Sequence, residues 1–210
     1  MRRRTRTLLG VALLLLGAQP ELRGQDRFIS NGVVFTFQGG YKAMGGDLGK
    51  VLDGGVIGEY GFAYQAGDFR YGLALNLVSL DVADVDESVS QVGAMLFARY
   101  VLRPEARVQP YGELRLGGVR YRPEGDAFAP VEPPEDGEEP EGENPADAVN
   151  GFEGGLLAGV EFALSRKVAF DLSGAFSYIT TEEVDLTAID LGTVDKGTAW
   201  SLRLGVRWLP

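Results

Sequence analysis

Hydrophobic and polar residues alternate with a period of two along most of the chain beyond residue 30. The clearest example is segment 199–208, one face of which consists of Trp200, Leu202, Leu204, Val206 and Trp208. Serine, arginine and glycine residues occupy the other face. Side chains of a β-strand point alternately to opposite faces, whereas a helix repeats its apolar positions every 3.6 residues. The pattern therefore predicts an all-β protein whose strands have one apolar and one polar face.

Eight segments follow this rule, at about 32–42, 55–65, 69–80, 89–102, 108–121, 151–164, 168–179 and 199–208. Two of them are less regular. Met95 and Phe97 fall on the polar face of the fourth segment, and Val119 falls on the polar face of the fifth. An extra residue in a strand would shift the alternation, so we expect a β-bulge near Gly117 and Gly118.

The connections between the predicted strands alternate between short and long. Short ones cover 66–68, 103–107 and 165–167, and long ones cover about 43–54, 81–88, 122–150 and 181–197. Transmembrane barrels of bacterial outer membranes combine short periplasmic turns with longer extracellular loops. The sequence thus predicts an eight-stranded antiparallel up-and-down transmembrane β-barrel, monomeric, with both termini on the periplasmic side.

Charge is distributed unevenly between the two sets of connections. The long ones carry 21 acidic and three basic residues, whereas the short ones contain Arg103, Arg107, Arg166 and Lys167. Segment 122–150 alone has ten acidic residues and six prolines, a composition that predicts a disordered extracellular loop. Its run EDGEEPEGE lacks the alternating spacing of a compact calcium loop. We expect only weak, nonspecific screening by divalent cations there, and no metal site.

The N-terminus has the composition of a secretory signal peptide. Arg2, Arg3, Arg4 and Arg6 precede an apolar run of ten residues, Leu8 to Gly17. That run is shorter than the roughly 20 residues of a membrane-spanning helix. We predict a signal peptide within residues 1–24, cleaved after Ala18 or after Gly24, and a barrel over 25–210. The chain has no cysteine, so a lipoprotein is excluded.

The polar faces of the predicted strands would line the interior, because side chains in lipid have no water to solvate them. These faces contain six bases and five acids: Lys42, Arg70, Arg99, Arg115, Arg203, Arg207, Glu59, Glu113, Glu153, Glu161 and Asp171. An eight-stranded barrel is only wide enough for side chains to fill, and unpaired charges there are costly. We therefore predict a polar, largely closed lumen with a structural ion-pair network made of Glu59, Arg99, Glu113, Arg115, Glu153, Glu161, Asp171, Arg203 and Arg207. Met95, Phe97, Leu157 and Ile179 are the only large apolar residues expected in it.

Aromatic residues support this assignment of faces, because many fall at strand ends, where girdles form at membrane interfaces. Predicted periplasmic ends carry Tyr64, Phe69, Tyr100, Phe162, Phe170 and Trp208, and predicted extracellular ends carry Tyr41, Phe152, Tyr178 and Trp200.

The whole segment after residue 24 resembles the small eight-stranded outer-membrane barrels of the outer-membrane-protein A and X type, in their barrel domain only. Arg203, Gly205 and Trp208 also match three places of the C-terminal insertion signal of such proteins, although Pro210 stands where the last aromatic is expected. The resemblance implies an outer-membrane location in a diderm bacterium, contact with outer-membrane lipids, and insertion by the barrel-assembly machinery.

Several functions remain open at this point. A non-enzymatic structural, envelope-integrity or surface-interaction role is one, a narrow channel for small solutes is another, and a soluble lipocalin-type barrel is a third. An enzyme is disfavoured because the chain has no histidine and no cysteine, which removes the usual general base and thiol nucleophile. No cofactor is expected, and a net charge of −10 argues against nucleic-acid binding.

Overall fold

The computed structural model describes residues 31–83, 88–124, 148–185 and 193–210. It contains eight strands: β1 Gly32–Gly45, β2 Leu52–Ala66, β3 Phe69–Val82, β4 Ser88–Val101, β5 Val108–Glu124, β6 Val149–Ala163, β7 Val168–Asp185 and β8 Thr193–Trp208. Each strand pairs antiparallel with the next, and β8 closes the barrel on β1. The predicted all-β, eight-stranded, up-and-down barrel is confirmed.

The closing seam between β1 and β8 has a continuous register that runs from the pair Phe35 and Trp208 to the pair Gly45 and Thr198. Gly40 and Gly205 are required there, because a side chain at either would clash with the backbone of the other strand. A Cβ atom at Gly40 would lie 2.0 Å from the carbonyl oxygen of Leu202, so any side chain would push the two strands apart.

The two ends of the barrel differ in their connections. The short connections 67–68, 102–107 and 164–167 lie at one end, called the turn end, and Gly67 and Arg103 turn the chain there with φ of 60° and 52°. The opposite end, called the loop end, carries the longer connections, and a short 3-10 helix, Leu48–Lys50, lies there. No helix among the described residues is long and apolar enough to cross a membrane.

The strands extend further toward the loop end than the alternation predicted. β7 continues to Asp185 and β8 begins at Thr193, so much of the predicted long connection 181–197 is a paired hairpin. Its outward residues, such as Thr180 and Lys196, are polar, which hid the strand. The predicted signal peptide, 1–24, and most of the acidic segment, 125–147, lie outside the described residues.

The predicted bulge near Gly117 and Gly118 is wrong. β5 pairs with β4 and with β6 in unbroken register through this region. Val119 points into the barrel and is buried, because the interior is apolar at its level. The register shifts lie elsewhere, between Leu52 and Gly55 and between Thr180 and Val184.

Candidate functional site

The outer wall of the barrel is covered by large exposed hydrophobic side chains on all eight strands. We call this surface the outer belt; on β8 it runs from Trp200 to Trp208. Eight residue steps of about 3.3 Å, on a strand tilted by about 40°, give a belt about 20 Å high. Transmembrane barrels have an apolar band about 25 Å tall, so the belt measured on β8 is comparable to that band but somewhat shorter.

Aromatic side chains mark both edges of the outer belt. At the turn end, the rings of Phe69 and Tyr100 make a tilted contact with centroids 5.0 Å apart, and Trp208 stacks on Phe35 with centroids 5.6 Å apart. At the other edge, Trp200 is 56% exposed. Aromatic rings with a polar atom favour the boundary between lipid and water. The belt also contains aromatic residues at mid-height, such as Phe37, so its edges are not its only aromatic positions.

The half of the lumen nearest the turn end contains charged residues, and Glu161 is at its centre. The Glu161 carboxylate is fully buried and accepts hydrogen bonds from Arg70 Nη1 at 2.5 Å and from Arg99 Nη1 at 2.6 Å. Arg207 Nε lies 3.1 Å from its other oxygen. Arg99 Nη1 also donates to Asp171 Oδ2 at 3.2 Å, so Asp171 and Glu161 share this guanidinium. Three arginines thus converge on one carboxylate.

A chain of ion pairs connects this cluster to the middle of the lumen. Arg99 Nε donates to Glu113 Oε2 at 2.6 Å, and Arg115 donates to both Glu113 and Glu59. Arg203 Nη1 donates to Glu59 Oε2 at 2.5 Å. The strands β2, β4, β5 and β8 are therefore joined across the lumen by alternating charges. We call the whole set the charged layer: Glu59, Arg70, Arg99, Glu113, Arg115, Glu161, Asp171, Arg203 and Arg207.

Glu153, which we had grouped with these residues, takes part in a separate contact. Lys42 Nζ donates to Glu153 Oε2 at 2.8 Å, and Ser177 Oγ donates to Oε1 at 2.7 Å. Gln91 bridges the pair, accepting from Lys42 at 3.1 Å. All nine residues of the predicted network are buried inside the barrel, and eight of them are in the charged layer.

Two neutral residues contact the charged layer, and the sequence analysis did not identify either of them. Tyr111 Oη donates to Asp171 at 2.9 Å, and its ring centroid lies 3.7 Å from the Arg99 guanidinium carbon. Gln38 donates to the same carboxylate at 3.0 Å. The alternation could have indicated Tyr111, because it lies two residues before the inward Glu113 on the same strand.

The half of the lumen nearest the loop end is mainly apolar around the contact of Lys42, Gln91 and Glu153, which corrects the prediction that only four large apolar residues lie inside. Buried inward residues there form an apolar layer: Leu48, Leu52, Ile57, Val78, Leu80, Val82, Val89, Val119, Tyr121 and Ile179. Leu48 comes from the short 3-10 helix of the first connection and packs against Gly197. At the rim outside this layer, Lys50 Nζ donates to Asp47 at 2.9 Å and lowers the pKa of the Asp47 carboxyl.

The chemical capacity of this interior is limited. Within the described ranges, no three acidic side chains come together in a way that could hold a metal ion. A polar cavity of about 20 Å³ lies beside Asn76, Met95 and Arg203, which is room for one water molecule and little more.

Comparisons with known proteins add information on the fold alone. No protein-family model matches the sequence, and no curated protein is similar to it. Among solved structures, Neisserial surface protein A matches with a TM-score of 0.55 and 20% identity, over 85% of this chain and 97% of that one. The Ail attachment invasion protein of Yersinia pestis, solved with the heparin analogue sucrose octasulfate, matches with a TM-score of 0.46 and 15% identity, over 85% of this chain and all 100% of that one. The chain has the fold of small outer-membrane β-barrels.

Proposed function

We propose that this protein is a non-enzymatic barrel of the outer membrane whose lumen is closed and whose role is structural or one of surface interaction. One observation carries the proposal. The exposed wall is apolar on every strand, while the buried charged residues all lie in the interior. A soluble barrel has the reverse arrangement, because water must solvate its outside and its core must be apolar.

The closed lumen follows from the packing of its two layers. In the charged layer, ion pairs such as Arg70 on β3 to Glu161 on β6, at 2.5 Å, reach across the lumen. In the apolar layer, buried residues such as Leu80 and Ile179 exclude water at the loop end. A solute would have to break several buried ion pairs and then pass an apolar constriction. The barrel is therefore better suited to anchoring its loops in the membrane than to transport.

The orientation belongs to the same proposal. Short turns on the periplasmic side and longer connections on the cell surface would place the acidic segments outside the cell. Insertion would require the barrel-assembly machinery, and the C-terminal strand with Gly205 and Trp208 would be the segment it recognises. The surface loops would then present negative charge to an extracellular partner or to the environment.

Conductance across planar bilayers tests the closed lumen against a solute channel. The protein is reconstituted into vesicles, insertion is verified by protease protection, and the same vesicles are fused with the bilayer. We expect protected protein and no steady ion conductance. Stable conductance steps from inserted protein would contradict the closed lumen and support the narrow channel. Protein that stays soluble without detergent would contradict the membrane location itself.

A further inference from the structure

A groove of about 1020 Å³ crosses the outer wall on the side of strands β4 to β8. Its floor consists of Ala98, Gly112, Ala158 and Gly174, which have short or no side chains. Gly112 pairs with Ala158, and Ala158 pairs with Gly174, so three neighbouring strands place small residues side by side. Larger residues form its walls: Tyr100, Leu114, Leu156, Phe176, Trp200 and Leu202. Sites for small molecules typically measure about 300–1,000 Å³, so the groove is large enough for a ligand.

The glycines in the floor are not required by the packing of the barrel. A Cβ atom at Gly112 would meet nothing within 4 Å, and one at Gly174 would lie 3.8 Å from the carbonyl oxygen of Ser201. These positions contrast with Gly40, where a Cβ atom would clash with the backbone of β8. The groove can therefore be filled by substitution without disturbing the strands.

Positive charge is concentrated where the groove meets the turn end. Leu102 lines the groove, Arg103 follows it directly, and Arg107 ends the same turn. The carbonyl oxygen of Arg107 accepts a hydrogen bond from the Ala163 amide at 2.8 Å, which places this turn beside the one containing Lys167. Arg107 and Lys167 are both exposed.

The acidic residues facing this region are few. Glu105 lies in the same turn as Arg107, whereas the turn containing Lys167 also has Arg166 and no acid. The remaining short turn contributes Asp68 and no base, and it also borders the groove, because Phe69 lines the groove and the Val101 amide donates to the Asp68 carbonyl oxygen at 2.8 Å. The three short turns together carry four bases and two acids, so the groove meets a net positive charge at the turn end.

We propose that this wall binds an anionic phospholipid, with its phosphate at the basic turns and its acyl chains in the groove. The inference rests on the proposed membrane location. Basic residues at the membrane surface attract anionic lipids, and long basic side chains reach the headgroups from an apolar wall. A second copy of the chain fits less well, because an interface through this face would bring the basic turns of both copies together.

Retention of lipid in detergent tests the groove. The protein is reconstituted into vesicles of equal parts phosphatidylglycerol and phosphatidylcholine, extracted gently, and analysed by native mass spectrometry. We expect phosphatidylglycerol to be retained at least fivefold over phosphatidylcholine. Gly112→Leu and Gly174→Leu fill the groove and should reduce retention fivefold or more. Gly58→Leu is the matched control, because Gly58 also faces outward with nothing within 4 Å of its Cβ position, but outside the groove.

A second arm tests the headgroup site. The double variant R107Q/K167Q should remove the preference for phosphatidylglycerol, whereas K50Q/K196Q at the loop end should preserve it. Equal retention of both lipids by the inserted wild type would overturn the inference and leave the membrane barrel intact. A loss of phosphatidylglycerol retention in Gly58→Leu equal to that in the groove variants would do the same. Failure of the wild type to insert into the vesicles would overturn the proposed function together with this inference.

Discussion

Consecutive residues of each strand face the lumen and the outer wall in turn, so two very different surroundings are one residue apart. On β8, Arg203 is 4% exposed and pairs with Glu59, while the adjacent Leu204 is 52% exposed on the outer belt. Each residue would be unfavourable in the position of the other if lipid surrounds the barrel. In the membrane location that we propose, neither face contacts bulk water, because the inner face is packed and ion-paired and the outer face contacts lipid.

The largest effect is expected inside the charged layer. Glu161→Gln keeps the volume of the side chain but removes the charge on which Arg70, Arg99 and Arg207 converge. Breaking a buried pair on one side costs about 3–5 kcal/mol, because the remaining charges stay buried without compensation. Urea unfolding in vesicles measures this loss, with the exposed Glu182→Gln as the control. An unfolding midpoint equal to that of the wild type would show that the lumen is hydrated.

A somewhat smaller effect is expected on the outer wall. Leu204→Arg places a charge near the middle of the belt, which should cost about 2–4 kcal/mol relative to Leu204→Ala. The cost should decrease toward both edges for the series Trp200, Leu202, Leu204, Val206 and Trp208. A flat profile along this series would mean that the wall does not cross a bilayer, since a bilayer is most apolar at its centre.

The apolar layer should behave like the core of a soluble protein. Ile179 is fully buried at the loop end of the lumen, so Ile179→Val should reduce the free energy of unfolding by about 0.5–1.5 kcal/mol. The comparison on the outer belt is Val206→Ala, which shortens an outward side chain and leaves the packing of the apolar layer unchanged. No loss in Ile179→Val would indicate that water reaches this layer.

The smallest effect is expected from the acidic segment. Replacing residues 126–146 by a short Gly/Ser linker should change the free energy of unfolding by less than about 0.5 kcal/mol, because its composition predicts no packed core. The barrel should keep its heat-modifiable migration on gels and its protease resistance. Loss of assembly would show that this segment packs against the barrel.

The alternation of residues was sufficient to predict the strands and their facing, since a period of two is directly visible in segments such as β8. The extent of the strands was not predictable where the outward residues turn polar, as at Thr180 and Lys196. Val119 was misread for a related reason. An apolar residue on a polar face indicates a bulge only if that face is polar throughout, and the lumen changes character along its axis.

The sequence indicates which face of a strand a residue occupies more readily than it indicates its partner inside the lumen. Arg203 and Glu59 are 144 residues apart in the sequence, and their contact depends on barrel closure and on strand stagger. The position of a residue in the alternation shows that it points inward. It does not show how far along the barrel axis the residue lies, or which residue it pairs with. For that reason Glu153 was grouped with a network from which the structure separates it.

Lipid exposure of the two tryptophans tests the membrane claim most directly. The chain has only Trp200 and Trp208, both outward and at opposite edges of the belt. Single-tryptophan variants W200F and W208F, and W200F/W208F/L204W, are inserted into vesicles of lipids brominated at defined depths. We expect strongest quenching by shallow bromines for Trp200 and Trp208, and by deep bromines for the tryptophan at position 204. Quenching of all three by aqueous iodide, with none by brominated lipid, would contradict a barrel that spans the membrane.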